Sequence, residues 1–455
     1  MAKPKSRRRF RLRETRLIAL IFLLVIAVGT LLLMLPVSAR DGRSCGVLPA
    51  LFTATSATCV TGLSLADTWT MWSGFGQAVI LALIEIGGLG FMSALSFFLF
   101  LLRQKIGIRQ RTVMAQAVGV DNLGGILKLQ KIVLWGSLTV QSCGAILLTL
   151  RFVSRYPLGK SIWLGIFHSV SAFCNAGFDI FGFEDPGGSV MMWGNDPFVL
   201  LTLAARIIIG GLGFLVWQDL LELFSRKPQK RLRVYTKLVL ITTAVLLAGG
   251  TVCFLALEWN NPATIGGKTI GEKLLAAFFQ SATLRTAGFS GISQGALTDP
   301  GKAASLFFML IGGASGSTAG GLKTATLAVL FLFLIARARG KSSVTVFSRT
   351  IPSAQVLNAL TLAGLMVSFS FLGGVLLSAT SAVPFLDGLY ESVSAIATVG
   401  LSTGITASLG VFSKLLIIVY MYFGRVGILT ISLGFLLRKP AEERASHAET
   451  NLLIG

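Results

Sequence analysis

A short signature with a central glycine occurs four times in this chain. The four copies are SATCVTGLS at Ser56–Ser64, SAFCNAGFD at Ser171–Asp179, TLRTAGFS at Thr283–Ser290 and SAIATVGLS at Ser394–Ser402. Their glycines, Gly62, Gly177, Gly288 and Gly400, are separated by 115, 111 and 112 residues. Backbone carbonyls of such loops can replace the water shell of a dehydrated cation, provided that the chain adopts angles that favour glycine. Four copies in register predict an ion-selective pore with one lining loop from each quarter of the chain.

The predicted filter consists of three residues from each signature. The lining residues are Val60, Thr61 and Gly62; Asn175, Ala176 and Gly177; Thr286, Ala287 and Gly288; and Thr398, Val399 and Gly400. A short apolar segment precedes each loop, and as a helix it would direct its partly negative C-terminal end toward the pore, which favours a cation over an anion. A single copy alone would instead indicate a helix-breaking turn.

The composition is that of a membrane protein. Of 455 residues, 53% are hydrophobic and only 13% are charged, whereas about 25% are charged in a typical soluble domain. Several uninterrupted apolar runs reach the roughly 20 residues that cross a bilayer. A secretory signal at the N-terminus is the alternative for the first run, but the run is longer than a usual signal core and the repeat needs it as a helix.

The net charge of +21 is distributed unevenly. Lys and Arg concentrate in five segments: 3–16, 103–111, 226–237, 337–349 and 438–444. This asymmetry follows the positive-inside rule and predicts cytoplasmic N- and C-termini. We therefore do not expect nucleic acid as a partner, and membrane lipid surrounds the chain instead. The five cysteines have neither metal-ligand spacing nor the pattern of a disulfide framework.

Each quarter is predicted to form an outer helix, a short pore helix with its loop, and an inner helix. The predicted fold is an all-α polytopic membrane protein with eight transmembrane helices and four pore helices in a pseudo-fourfold arrangement. The expected repeats are residues 1–111, 112–233, 234–349 and 350–455. The inner helices are expected near Phe75–Leu102, Pro197–Phe224, Lys302–Ala336 and Leu409–Leu437. They share a glycine-rich motif, which indicates close helix packing.

The third inner helix has an unusual composition. Its ten-residue window contains Gly312, Gly313, Ser315, Gly316, Ser317, Thr318, Gly320 and Gly321. Each interior glycine costs about 1 kcal/mol relative to alanine, so a continuous helix is not expected. An interrupted segment below the filter is interpreted as a gate, with a packed kink that has no gating role as the alternative.

Arg425 is the clearest charge inside an apolar span. It lies about 20 Å above Arg438 along a helix, and a charge that faces lipid at this depth costs about 2.5–3.5 kcal/mol or more. We expect Arg425 to face the pore, contact the glycine-rich segment and raise the barrier to ion passage. The alternative is an ion pair with Glu85. Arg285, inside the third signature, is expected to brace its loop from behind, and His168 to serve in packing.

These motifs resemble those of the Trk/Ktr/HKT superfamily of potassium transporters over essentially the whole chain. The resemblance implies potassium as the substrate, bound by the carbonyls at Gly62, Gly177, Gly288 and Gly400, because the family members that favour sodium tend to have serine at the first of these positions. The short N-terminal extension is similar to Ktr-type membrane subunits of the bacterial inner membrane. Such subunits are homodimers, depend on sodium and work with a cytosolic, nucleotide-binding RCK-type regulatory ring.

The predicted function is potassium-selective uptake through the four-loop filter, gated by the glycine-rich segment and Arg425. A tightly coupled sodium/potassium symporter with alternating access is the alternative, and the sequence separates the two poorly. An enzyme is not expected, since the chain has two histidines and neither a phosphate-binding loop nor a metalloprotease motif. No covalent cofactor is expected.

Overall fold

The computed structural model describes residues 6–90, 126–223 and 231–427. Its first half contains eight helices within these ranges: α1 (Ser6–Leu33), α2 (Val47–Thr58), α3 (Thr68–Met71), α4 (Gly74–Leu89), α5 (Ile126–Phe152), α6 (Leu158–Cys174), α7 (Pro197–Gly211) and α8 (Phe214–Leu223). The second half contains α9 (Val234–Glu258), α10 (Ile270–Thr283), α11 (Asp299–Leu310), α12 (Thr324–Ala338), α13 (Ser353–Ser381), α14 (Phe385–Ile396) and α15 (Val411–Tyr422). The predicted ends of the first and fourth inner helices lie outside the described residues.

Local sequence signals set the starts of several helices. Asp196 caps α7 by accepting hydrogen bonds from the N–H groups of Phe198 and Val199, and Pro197 occupies the first turn. The side chains of Thr269 and Glu272 form a reciprocal capping box at the start of α10. These polar caps hold helix ends at the boundaries of the apolar spans.

Three described helical segments are long and apolar enough to cross a membrane. They are Leu129–Phe152, Val234–Glu258 and Ser353–Ser381, the outer helices of the second, third and fourth quarters. The pair α7–α8 would count as a fourth span, although the two helices meet at an angle of 95°. The outer helices place large apolar side chains such as Leu20, Leu24 and Val245 on the outside, where lipid is their natural solvent.

The pore helices lie inside this shell. Residues 53–58 of α2, 171–174 of α6 and 391–396 of α14 are all buried. The core of the protein is therefore the layer formed by α2, α6, α10, α14 and the loops that follow them.

The second inner helix differs from its prediction. The sequence predicts one helix over Pro197–Phe224, but the structure ends α7 at Gly211 and begins α8 at Phe214 after the bend. Gly213 has φ +87°, and the N–H of Phe214 donates to the carbonyl of Gly316 in the third quarter, 2.9 Å away. The break at Gly213 thus leaves the N–H of Phe214 free to bond with the third quarter.

The third inner helix is interrupted between α11 and α12, as its glycine content predicts. Residues 311–323, which we name the intramembrane segment, have irregular backbone, apart from an isolated bridge between Ile311 and Leu322. A short antiparallel hairpin, β1 (Val344–Val346) with β2 (Arg349–Ile351), follows α12 and was not predicted.

Candidate functional site

The four signature loops have the same backbone conformation. In each loop the first lining residue is left-handed, with φ between 51° and 64° at Val60, Asn175, Thr286 and Thr398. The glycine two residues later also has positive φ, between 69° and 99°. A side chain at the glycine position would be strained, which gives a physical reason for glycine in every copy.

The four glycines meet at one place. A Cβ atom added to Gly62 would lie 2.5 Å from the carbonyl oxygen of Ala176, and one added to Gly177 would lie 2.8 Å from the Cα of Gly288. A Cβ on Gly288 would lie 2.6 Å from the oxygen of Val399, and one on Gly400 would overlap the oxygen of Thr61. The loops therefore contact one another in the cyclic order first, second, third, fourth, first.

Each loop is supported by its own pore helix. The N–H groups of Thr61, Ala176 and Val399 donate to the carbonyls of Ser56, Ser171 and Ser394, each at 2.8 Å. Side-chain hydroxyls add a second bond: Ser56 and Ser394 accept from the N–H of their loop glycine at 3.0 Å, whereas Ser171 and Thr283 donate to the carbonyls of Phe178 and Phe289. The support is local in every copy.

Glycines of three inner helices pack against the ends of the pore helices. A Cβ on Gly87, Gly210 or Gly424 would overlap the carbonyl oxygen of Thr58, Phe173 or Ile396, respectively. Each of these carbonyls belongs to the residue four positions before a loop glycine. The repeated glycine motif thus serves close packing, as the sequence indicates. Gly312 of the third quarter instead lies against Gly320 of its own segment.

The intramembrane segment is held by residues far away in the sequence. The N–H of Ala314 donates to the carbonyl of Gly211 at 2.8 Å, and the hydroxyl of Thr318 donates to Phe173 at 2.9 Å. The N–H of Gly320 donates to the hydroxyl of Thr286 in the third signature loop at 3.1 Å. The segment therefore lies directly against the third signature loop and the end of the second pore helix.

Arg425 contacts this segment from the fourth inner helix. It lies in a π-helical turn, Phe423–Gly427, and is only 7% exposed. One guanidinium nitrogen donates to the carbonyl of Thr318 and another to that of Gly87, both at 2.7 Å. The alternative of an ion pair with Glu85 is wrong, because Glu85 accepts hydrogen bonds from Gln141 and Cys174 instead.

Two other predicted positions take the places expected for them. The guanidinium of Arg285 is buried and reaches back to the hydroxyl of Thr243 on the outer helix α9, 3.4 Å away. His168 is buried, bonds to the carbonyl of Leu164 and stacks on the ring of Phe181 with centroids 4.1 Å apart.

Two acidic residues after the second signature are paired with arginines. Asp196 pairs with Arg151 and Glu184 pairs with Arg155, each at 2.6 Å.

Sequence reasoning missed several polar residues that support these elements. Tyr235 donates its hydroxyl to the carbonyl of Ser315, and Gln141 holds Glu85. Glu391 on α14 is completely buried beside the fourth loop. A charged residue within a pore helix was the available signal for Glu391, while Tyr235 has no signal because its partner lies 80 residues away.

The fold and the arrangement of the loops define a helical membrane transporter. The family model described as TrkH, cation transport protein, matches residues 3–446. This chain belongs to that family of cation transporters, and it is not an enzyme.

Several relatives are similar over almost their whole length. The potassium/sodium uptake protein NtpJ of Enterococcus hirae is 40% identical over 460 residues and 100% of both chains. The Ktr system potassium uptake protein B of Bacillus subtilis is 37% identical and that of Vibrio alginolyticus 38%, covering 96% and 97% of this chain and 96% and 95% of theirs. The crystal structure of the potassium transporter TrkH from Vibrio parahaemolyticus has a TM-score of 0.71 at 18% identity, over 93% of this chain and 84% of that one. The last similarity supports the fold.

Proposed function

We propose that this chain takes up potassium across the bacterial plasma membrane, with the ions passing through the ring of signature loops. The observation that carries the proposal is the contact of the four loop glycines in cyclic order. Loops in this arrangement can present backbone carbonyls from four sides to one ion. The names of the relatives, which are potassium or potassium/sodium uptake proteins, support potassium as the substrate.

The intramembrane segment and Arg425 form the gate of the proposed pathway. The segment binds the third signature loop at Thr286 and the end of the second pore helix at Phe173. Arg425 adds a positive charge at Thr318 of the segment, which opposes the passage of a cation. Opening requires the segment to move away from the loops.

The chain works in the membrane as a homodimer with a separate cytosolic RCK-type regulatory ring, and its termini lie in the cytoplasm. The relatives named as components of a Ktr system support a partner subunit. The concentration of Lys and Arg near both ends of the chain supports the orientation.

A sodium/potassium symporter is the second candidate, and the name of the Enterococcus relative favours a role for sodium. Coupling is not an energetic necessity, since 100 mV across the membrane supplies about 2.3 kcal/mol per charge, a concentration ratio of roughly 50-fold. Sodium as an activator of a channel-like pore therefore remains part of the leading proposal. A fixed sodium-to-potassium stoichiometry in flux measurements would favour the symporter.

The test uses a bacterium that lacks potassium uptake of its own. Expression of the wild-type chain should restore growth at low external potassium, while Gly288→Ser and Gly400→Ser should fail. Gly340→Ser is the matched control: Gly340 also has positive φ, +69°, but nothing lies within 4 Å of its added Cβ. Equal rescue by all three variants, at equal amounts in the membrane, would contradict the filter.

A further inference from the structure

The pore-helix residue nine positions before each loop glycine differs among the four quarters. The four residues are Thr53, His168, Phe279 and Glu391. Two of them are ionisable, and they belong to the second and fourth quarters, which lie opposite each other in the cyclic order of the glycines. Placing an ionisable side chain inside a membrane protein costs free energy, so we expect such residues to have a role.

Glu391 bonds to the chain that leaves the fourth signature loop. Its carboxylate accepts a hydrogen bond from the hydroxyl of Thr406, and the oxygens of Thr406 and Ser402 lie 2.9 Å apart. The N–H of Gly404 donates to the hydroxyl of Ser402, also at 2.9 Å. The hydroxyls of Thr406 and Ser402 thus both face the carboxyl of Glu391, and Ser402 also accepts the N–H of Gly404.

This chain of hydrogen bonds ends on a carboxylate that has little other support. Glu391 is 0% exposed, and its second oxygen has no hydrogen-bond partner among the described residues. Asp387, one turn earlier, is paired with Lys302 at 2.8 Å, but no such pair joins Glu391 to a described cation. A buried acceptor in this position depends strongly on the hydroxyls that face it.

Ser402 lies only two residues beyond Gly400, and Thr406 begins the next helical turn, Thr406–Ser408. The network therefore fixes the outgoing end of the fourth loop, as Ser394 fixes its incoming end through the N–H of Gly400. With both ends held, the carbonyls near Gly400 keep one position.

We propose that Glu391 is a positioning residue for ion selection: through Thr406 and Ser402 it holds the fourth loop in the geometry that prefers potassium to sodium. This inference rests on the proposed function of the loops as a filter. The geometry needs a hydrogen-bond acceptor at Glu391 and a donor at Thr406.

The opposite quarter has an arrangement of the same kind. His168 has its Nδ1 within 2.7 Å of the carbonyl of Leu164 and must donate there, so its Nε2 is the acceptor for the N–H of Ile180 at 3.4 Å. Ile180 lies three residues beyond Gly177. In the second and fourth quarters, the segment that leaves the signature loop is thus bonded to its own pore helix. The bonding side chain, His168 or Glu391, is nine positions before the loop glycine in both cases.

The experiment compares initial uptake of potassium and of sodium, at equal external concentrations, by full-length variants in a potassium-uptake-deficient bacterium. Glu391→Ala and Thr406→Val each remove one end of the bond and should lower the preference for potassium by about tenfold. Glu391→Gln keeps an acceptor oxygen and Thr406→Ser keeps the donor, so both should retain the wild-type preference. This rescue by conservative variants would not follow from the volume of the side chains alone.

Asp387→Asn is the matched control, because it breaks an ion pair on the same helix that does not touch the outgoing chain; its ion preference should be unchanged. An unchanged preference in Thr406→Val would overturn the proposal, whether or not Glu391→Ala reaches the membrane. Gly400→Ser separates the two hypotheses: if it abolishes uptake while Thr406→Val is unaffected, the filter stands and the role of Glu391 is wrong. If Gly400→Ser transports normally, the filter itself is wrong.

Discussion

The signature loops and the intramembrane segment lie against each other but are held in opposite ways. The loops take their hydrogen bonds from residues three to seven positions away in the same quarter, such as Ser56 for Gly62. The segment has a few internal bonds, such as Gly312 to Leu322, but it is joined to the rest of the protein by distant residues, such as Gly211 at Ala314 and Arg425 at Thr318. Local support makes a loop rigid on its own, whereas remote support allows the segment to be released when a neighbouring helix moves.

A substitution inside the ring should produce the largest effect. Gly62→Ala places a Cβ at 2.5 Å from the carbonyl of Ala176 on a backbone with φ +99°. Strain of about 3 kcal/mol at such a site corresponds to a loss of roughly 100-fold in potassium uptake.

Gly46→Ala is the control for Gly62→Ala, because Gly46 begins the same pore helix at φ +84° with open space around it. Both variants place alanine at a residue with positive φ, but only the Cβ of Gly62→Ala collides with the neighbouring signature loop. Similar uptake by the two variants, measured per transporter in the membrane, would break the comparison by showing that the ring is not rigid.

Removal of the charge that holds the segment should have a smaller effect of opposite sign. Arg425→Ala deletes the donors to Thr318 and Gly87 together with the positive charge, so potassium flux should rise by about tenfold. Arg425→Lys keeps the charge but cannot contact both carbonyls, so its potassium flux should lie between those of the wild type and Arg425→Ala. Unchanged or reduced flux in Arg425→Ala would argue against a barrier at this residue.

The smallest expected effect concerns a single neutral hydrogen bond to the segment. Tyr235→Phe removes the donor to the carbonyl of Ser315, 3.1 Å away, which weakens the hold by about 1 kcal/mol and should raise flux about fivefold. Tyr422→Phe removes a similar bond, to the carbonyl of Ala19, away from the segment and should leave flux unchanged. Equal behaviour of the two variants would mean that remote support does not control the segment.

The presence and position of the loops were largely predictable because the signature occurs four times in the sequence. The nearly equal spacing of Gly62, Gly177, Gly288 and Gly400 is a signal that any one copy lacks, and each copy bonds locally to the helix before it. The interruption of the third inner helix was also predictable, since glycine content acts on the helix that contains it.

The bend between α7 and α8 was not predicted, although its glycine motif carried a signal. The motif around Gly211 and Gly213 resembles the one around Gly88 and Gly90, and α4 also ends there, with φ +80° at Gly90 against +87° at Gly213. The bond from Phe214 to the carbonyl of Gly316, about 100 residues away, had no local signal. The network at Glu391 was missed for the same reason: its donor, Thr406, lies beyond the loop in a stretch without a repeated pattern.

The four hydroxyls that support the signature loops form two kinds of hydrogen bond. Ser56 and Ser394 accept hydrogen bonds, whereas Ser171 and Thr283 donate them. The four loops therefore share a backbone conformation but differ in their side-chain hydrogen bonds. In an assembly of identical subunits, a point mutation alters every copy simultaneously. Here a point mutation alters only one of the four loops, so the loops can change independently of one another.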